Sequence, residues 1–327
     1  MANKIIQHQQ FNSIDDFLKA ISYGGDLYQL FQTGYFAFRG HASDKYQLIP
    51  TALRLESKDR FNKLSLSATN INEDDLEYFQ IFKESQILRD FYKLCDKNGL
   101  LIEEIKRIRN SILETIDLQT IATPEKWIPT ELWSLASLAQ HYGVPTRLLD
   151  WTHDINVALF FAIENYLEGI QPPVGTNHIV LWALNLQLVS IPNVLELPLK
   201  LIQPTYYGNS NLSAQKGLFT LWQVDKNVEI KDGRIVPDME TKVNRSPLDQ
   251  LLQTLDLRQN VNGKSYLYEI KLPMDSAMDI YKHIKFLGYD ASRIYPGYHG
   301  VMKSMMHDYP LNADKINSIG TIMRMRK

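Results

Sequence analysis

Apolar residues recur at helical spacing in some stretches of the chain, and in others they alternate or run together over strand lengths; this pattern predicts the elements. Ser13 followed by Ile14, Asp15, Asp16, Phe17, Leu18 and Ile21 reads as an N-capped amphipathic helix. Tyr35-Phe36-Ala37-Phe38 reads as a short aromatic strand closed by Arg39-Gly40. From Asn72 to about Gln119 the chain is charged and nearly free of Gly and Pro, with Leu76, Phe79, Phe82, Ile87, Phe91 and Leu94 at helical spacing. This predicts two helices, interrupted at Asn98-Gly99, that form a helical insertion over about 60–125. Glu131–Tyr142 reads as a helix ended by Gly143 and Pro145, and Asp154 as the cap of a strongly apolar helix through Val157–Ile163. Strands are expected over His178–Leu184, Gly217–Val224 and Ser265–Lys271, with helices around Leu248–Leu255 and Asp275–Leu287. No repeat or linker interrupts the order, so the expectation is one α+β domain over 1–327.

Between two of these helical patterns lies Gln140-His141-Tyr142-Gly143-Val144-Pro145-Thr146-Arg147-Leu148-Leu149-Asp150-Trp151-Thr152. It reads as a loop, yet it holds basic and acidic side chains and three aromatic rings, where a merely connecting loop is short and polar. A loop of that composition suits the wall of a site.

Composition narrows the classes. The 327 residues are 44% hydrophobic and 22% charged, as in ordinary globular proteins. A net charge of −2 supplies no global attraction to nucleic acid or anionic membrane. The single Cys95 excludes an intrachain disulfide and suits a reducing compartment. No segment has the apolar run of a signal peptide or a membrane span, so a cytoplasmic protein is expected. Eight histidines fall at no metal-ligand spacing, and no phosphate-binding glycine loop or serine-nucleophile elbow occurs, so no metal is expected.

Each candidate residue has a structural reading beside its chemical one. Arg39 presents a planar donor fork suited to phosphate, with Gly40 leaving room for a ligand, or it pairs with a structural acid at a strand end. Arg147 and Asp150 lie close enough in sequence to pair and brace the loop; Asp150 and Thr152 suit helix capping as well as catalysis. Trp151 reads as a core or lid aromatic or as a stacking platform, and His141 and Tyr142 either cover a helix end or offer rings to a ligand. Gln215, before Gly217, lines a cleft or makes a turn.

Taken together these segments resemble the FRG domain, named for its Phe-Arg-Gly motif. Phe38-Arg39-Gly40 is similar to the eponymous motif, and Gln140 to Thr152 with Ala158-Leu159-Phe160-Phe161-Ala162 resembles a longer family signature. Gln215-x-Gly217-x-Phe219-Thr220 and the stretch Gly288-Tyr289 through Ile294-Tyr295-Pro296-Gly297-Tyr298-His299-Gly300 resemble later family segments, the last a closing strand and helix. The resemblance spans about 35–308 and leaves out the helical insertion. A second likeness is to the ADP-ribosyltransferase fold, in which an Arg ends an early aromatic strand and a Ser-Thr-Ser strand precedes an Ala-x-x-Phe-Ala helix. Asp150-Trp151-Thr152 stands where the serines would be, and Gln215-Lys216-Gly217 where such enzymes carry a glutamate.

The resemblance implies a mixed or antiparallel sheet with an ADP-ribosyltransferase-like core, and NAD as the substrate of a transferase or glycohydrolase in bacterial toxin or anti-phage defence. In that reading Asp150, Arg39 and Arg147 are catalytic. Arg39, Gly40, His141, Tyr142, Thr146, Trp151, Thr152 and Gln215 bind the nucleotide, and the target is a protein or nucleic acid. The alternative is a nucleotide- or nucleic-acid-binding module without turnover, motivated by the missing glutamate and by Arg39, Arg54, Arg147, Tyr206 and Tyr207.

Overall fold

A computed structural model describes residues 5–64, 75–111, 126–190, 197–206, 209–226, 228–232, 234–238, 240–255 and 264–325. Its centre is an open seven-stranded sheet built from β1 (Ile6–Gln10), β2 (Phe36–His41), β3 (Leu148–Thr152), β4 (His178–Asn185), β5 (Leu199–Ile202), β6 (Gly217–Trp222) and β9 (Leu267–Pro273). The strand order is β1-β9-β4-β2-β3-β6-β5, with β1 parallel to β9 and every other pair antiparallel. A separate hairpin joins β7 (Val228–Lys231) to β8 (Arg234–Pro237). The architecture is α+β with a mixed sheet.

Strand alternation sorts the core into two layers. On one face Phe36, Phe38, Ile179, Leu181 and Ala183 pack with the helices Ile14–Ile21, Ile155–Leu167 and Ala277–Phe286. On the other, Ala37, Leu149, Trp151, Val180, Trp182, Leu184 and Leu218 pack with the helix Leu248–Thr254. Ser13 and Asp154 cap their helices as expected, Asp154 accepting from the Asn156 amide at 3.0 Å.

The helical segment is not an appendage. Its long helix, Glu77–Lys97, carries Ile81, Leu88 and Tyr92 into a cluster with Leu135, Ala139, Leu148 and Leu221, so it seals the flank of β3 and β6. A second short helix follows at Lys106–Asn110, while 65–74 and 112–125 of the expected insertion lie outside the described residues.

Three expectations change. The dense stretch 140–152 is half loop and half strand: the helix Trp133–His141 ends in a Schellman turn, with Gly143 at φ 85° and Val144 N–H donating to Ala139 O at 2.9 Å, and the chain then enters the sheet as β3. Arg147 and Asp150 do not pair, because three residues along extended chain puts them on opposite sides. Gly288–Gly300 forms no strand; a short helix, Ala291–Ile294, is followed by a long one, Tyr298–Met325. Among the described residues no helix is long and apolar enough to cross a membrane.

Candidate active site

The site lies where the sheet comes apart. β2 and β3 are neighbours, but their ladder is a single pair, Phe38 with Thr152. Beyond it the strands diverge, and the Arg39 side chain bridges the gap: Nη1 donates to the Asp150 main-chain oxygen and meets Asp150 Oδ1, each at 2.7 Å. The Arg39 Nε–H donates to His41 Nε2 at 3.0 Å, leaving Nη2 without a partner among the described residues. Residues 39 and 41 share a face of β2 because strand periodicity is two.

The resulting cleft has a volume of about 410 Å³ and is walled by Arg39, Gln140, His141, Asp150, Gln215 and Tyr295. Solvent reaches 61% of the Asp150 side chain from the cleft, although protein atoms surround the carboxylate below. Burial raises the Asp150 pKa, but the Arg39 charge and hydrogen bond outweigh it and hold the carboxyl below the usual range. Asp150 is therefore a fixed negative charge at neutral pH. Gln140 turns its amide toward it, Nε2 standing 3.4 Å from Oδ1, because Thr146 Oγ1 donates to the Gln140 oxygen.

Arg39, Gly40 and Phe161 also wall a second cavity of about 820 Å³ with Lys45, Tyr46, Arg54, Asn165 and Arg245. His41 is buried there; burial, then the Arg39 and Arg54 charges, push its pKa down to about 3, so the ring is neutral. Burial and the neighbouring Arg39 charge also draw the Arg54 pKa down.

The structure brings Arg39, Asp150, His141 and Gln215 to the cleft, and assigns other positions different work. Arg147 is turned away: it is 2% exposed, with Nε 2.7 Å from Glu84 and Nη2 2.5 Å from Glu77, and it ties the long helix to the root of β3. Gly40 admits a helix rather than a ligand, since a Cβ there would lie 2.0 Å from Ala158 O and 2.8 Å from the Ala162 Cβ. That contact explains why small residues recur at 158 and 162. Trp151 borders the cleft, but its ring belongs to the opposite core layer and donates to Thr220 Oγ1 at 2.9 Å.

Thr152 Oγ1 donates to the Gln215 carbonyl at 2.6 Å and accepts from the Asp154 amide at 3.0 Å, which locks the end of β3. Gln215 in turn donates Nε2–H to Ile294 O at 3.3 Å. Thr146 is buried and acts on the cleft only through Gln140. Tyr142 is 68% exposed, edge-on to His141 and outside the cleft wall. His141 Nε2 lies 3.4 Å from Asn211 Nδ2, and burial lowers its pKa. Tyr206 donates to Gly217 O at 3.2 Å, and Tyr207 lies outside the described residues.

The reading of the sequence missed His41, Lys45, Tyr46 and Asn165 as site residues. His41 was within reach, two positions after Arg39 on the same strand face. Tyr295, which the sequence offers only within the Ile294–Gly300 stretch, donates its hydroxyl to Glu164 at 2.7 Å while its ring borders the cleft. No group of three or more His, Cys, Asp or Glu that could hold a metal occurs among the described residues.

Residues 34–169 match the family model described as the FRG domain, so this segment of the chain is an FRG domain. The match contains Phe38-Arg39-Gly40, β3 and the helix packed on Gly40, while Gln215 and Tyr295 lie beyond it. Comparison with curated proteins and with solved structures gives no significant match.

Proposed function

Taking the chain as an FRG-domain protein, we propose that its cleft binds NAD and cleaves the bond between ribose and nicotinamide. The observation that carries this reading is the ionised Asp150 carboxylate, fixed by Arg39 and open to the cleft. In such a cleavage the C1′–N bond breaks with both electrons going to the ring nitrogen, and nicotinamide leaves neutral. The ribose is left with oxocarbenium character, which a preorganised carboxylate stabilises. Water, or a hydroxyl or amine of a protein or nucleic-acid target, then bonds to C1′ and loses a proton. A carboxylate held below its usual pKa suits this electrostatic role and not that of a general acid.

In this account Arg39 is a positioning residue that holds Asp150 by two contacts from Nη1, and His41, neutral and fixed, holds Arg39 in turn. The mixed sheet then serves as an ADP-ribosyltransferase-like core, and a cytoplasmic enzyme that consumes NAD or modifies a target suits a bacterial toxin or anti-phage effector. The test is nicotinamide release from NAD by the purified chain: Asp150→Asn should abolish release in a protein that still unfolds cooperatively, with no more than the modest fall in melting temperature that loss of the Arg39 ion pair brings. Release that persists in Asp150→Asn would remove Asp150 from the chemistry.

A second reading is favoured by the same ion pair. Arg39 partly neutralises Asp150, which fits a site that binds a nucleotide without turning it over. NAD would then raise the melting temperature with no nicotinamide released.

A further inference from the structure

We infer that the 820 Å³ cavity beside the Asp150 cleft is a pyrophosphate-binding pocket built on Arg54, holding the phosphates of the ligand whose ribose faces Asp150. The inference rests on the nucleotide reading above and extends it to a cavity that reading does not use. Arg39, Gly40 and Phe161 are walls of both spaces, so one ligand can run from one into the other past Arg39.

The charges lining the cavity are unequal. Four cations, Arg39, Lys45, Arg54 and Arg245, face a single acid, Glu56. Two of the cations are already matched: Arg245 makes two bonds to Asp75, at 2.5 and 3.1 Å, and one to Leu53 O at 2.7 Å, and Arg39 is paired with Asp150. Arg54 is different. Its Nε–H donates to the Ile49 carbonyl at 2.8 Å, which fixes the guanidinium at the wall without neutralising it. Among the described residues neither Arg54 nor Lys45 has a carboxylate partner.

Arg54 also stands near enough to Arg39 for one charge to oppose the other, and both act on the His41 ring buried with them. Asp150 offsets only part of the charge of the two guanidiniums, and the imidazole beside them is neutral, so the wall keeps a positive excess that a further anion would offset. A planar donor fork on each side matches a pair of linked phosphates better than a single carboxylate. The cavity is larger than a phosphate group requires, and Tyr46 and Asn165 line the remainder, where the rest of a pyrophosphate-linked ligand would extend.

The test is calorimetric titration of the full chain with inorganic pyrophosphate. Four proteins are compared: the natural chain, Arg54→Gln, Lys45→Glu and Asp150→Asn. The natural chain should bind pyrophosphate, Arg54→Gln should bind it at least about tenfold more weakly, and Lys45→Glu should also weaken it. Asp150→Asn should bind at least as tightly as the natural chain, because it removes a nearby negative charge. Should Arg54→Gln fail to fold, Arg54→Lys and the exposed Lys45→Glu decide the matter. Pyrophosphate affinity unchanged in Lys45→Glu and in a folded Arg54 variant would overturn the inference, as would no binding to the natural chain. Pyrophosphate binding that depends on Arg54 in a protein that releases no nicotinamide would sustain the pocket and refute only the cleavage reading. Nicotinamide riboside, which has no phosphate, should bind the natural chain and Arg54→Gln with the same affinity; a selective loss in the variant would count against a phosphate role.

Discussion

Gly40→Ala tests what the eponymous glycine does. An added Cβ would lie 2.0 Å from Ala158 O, 2.7 Å from Ala162 N and 2.8 Å from Ala162 Cβ. Two of these three atoms are backbone of the Ile155–Leu167 helix, so no rotamer change relieves them. Ordinary contact begins at 3.4 Å, and β2 and the helix would have to separate by about 1.4 Å at this point. β2 is held between β4 and β3 and cannot slide aside, so the separation opens the layer in which Phe36 and Phe38 meet Val157, Ala158 and Ala162. A gap of about 0.5–1 Å already forfeits a quarter to a half of a dispersion contact. Overpacking costs about 1–3 kcal/mol, and this geometry belongs at the upper end. For a chain of 327 residues, at about 1.5 °C per kcal/mol, a 3 kcal/mol loss lowers the melting temperature by about 4–5 °C. Thermal and urea unfolding of Gly40→Ala measure it. A variant with natural stability that had lost only ligand binding would refute the packing account and restore the ligand-approach reading.

Two further predictions concern the frame of the site. Arg147→Ala leaves Glu77 and Glu84 buried without their counter-charge and should destabilise the chain by about 3–5 kcal/mol, read as a fall in the urea midpoint; a stable variant that is inactive would move Arg147 back to the chemistry. Asp154 accepts from Lys216 at 2.8 Å and Tyr289 at 2.7 Å; burial raises its pKa, but these bonds hold it below the ordinary 3.8. Its folded pKa is thus lower than its unfolded one, so its contribution is complete above about pH 4 and is lost as pH falls further. Unfolding free energy should drop less steeply below pH 4 in Asp154→Asn than in the natural chain, and equal slopes would contradict the assignment.

The sequence disclosed the helices with clear periods and caps, and the long strands of the sheet's middle. β3 was hidden because Asp150 and Thr152 interrupt its apolar run; a strand facing a cleft needs polar residues on that side, and the pattern then reads as a loop. β1, with the composition Ile-Gln-His-Gln-Gln, carries almost no strand signal, since as an edge strand it is held by main-chain pairing with β9. The Arg39–Asp150 meeting was only partly legible. Both residues were singled out, but Arg147, nearer in sequence, was the expected partner of Asp150. Its real partners lie on the long helix, 63 residues earlier at Glu84, a distance at which no local spacing rule operates. Gly40 reads in the sequence as a place for a ligand to approach, whereas a helix is seated against it; one sequence does not say which of the two comes close.

The account turns on Asp150. Nicotinamide release should be measured for the natural chain and for Asp150→Asn at equal folded concentration, with melting temperatures recorded alongside. Turnover is expected in the natural chain and a loss of at least about a hundredfold in the variant, in a protein that stays folded with only the modest stability loss of a broken Arg39 ion pair. Equal rates in the two proteins, or no release from a natural chain that binds NAD, would contradict it.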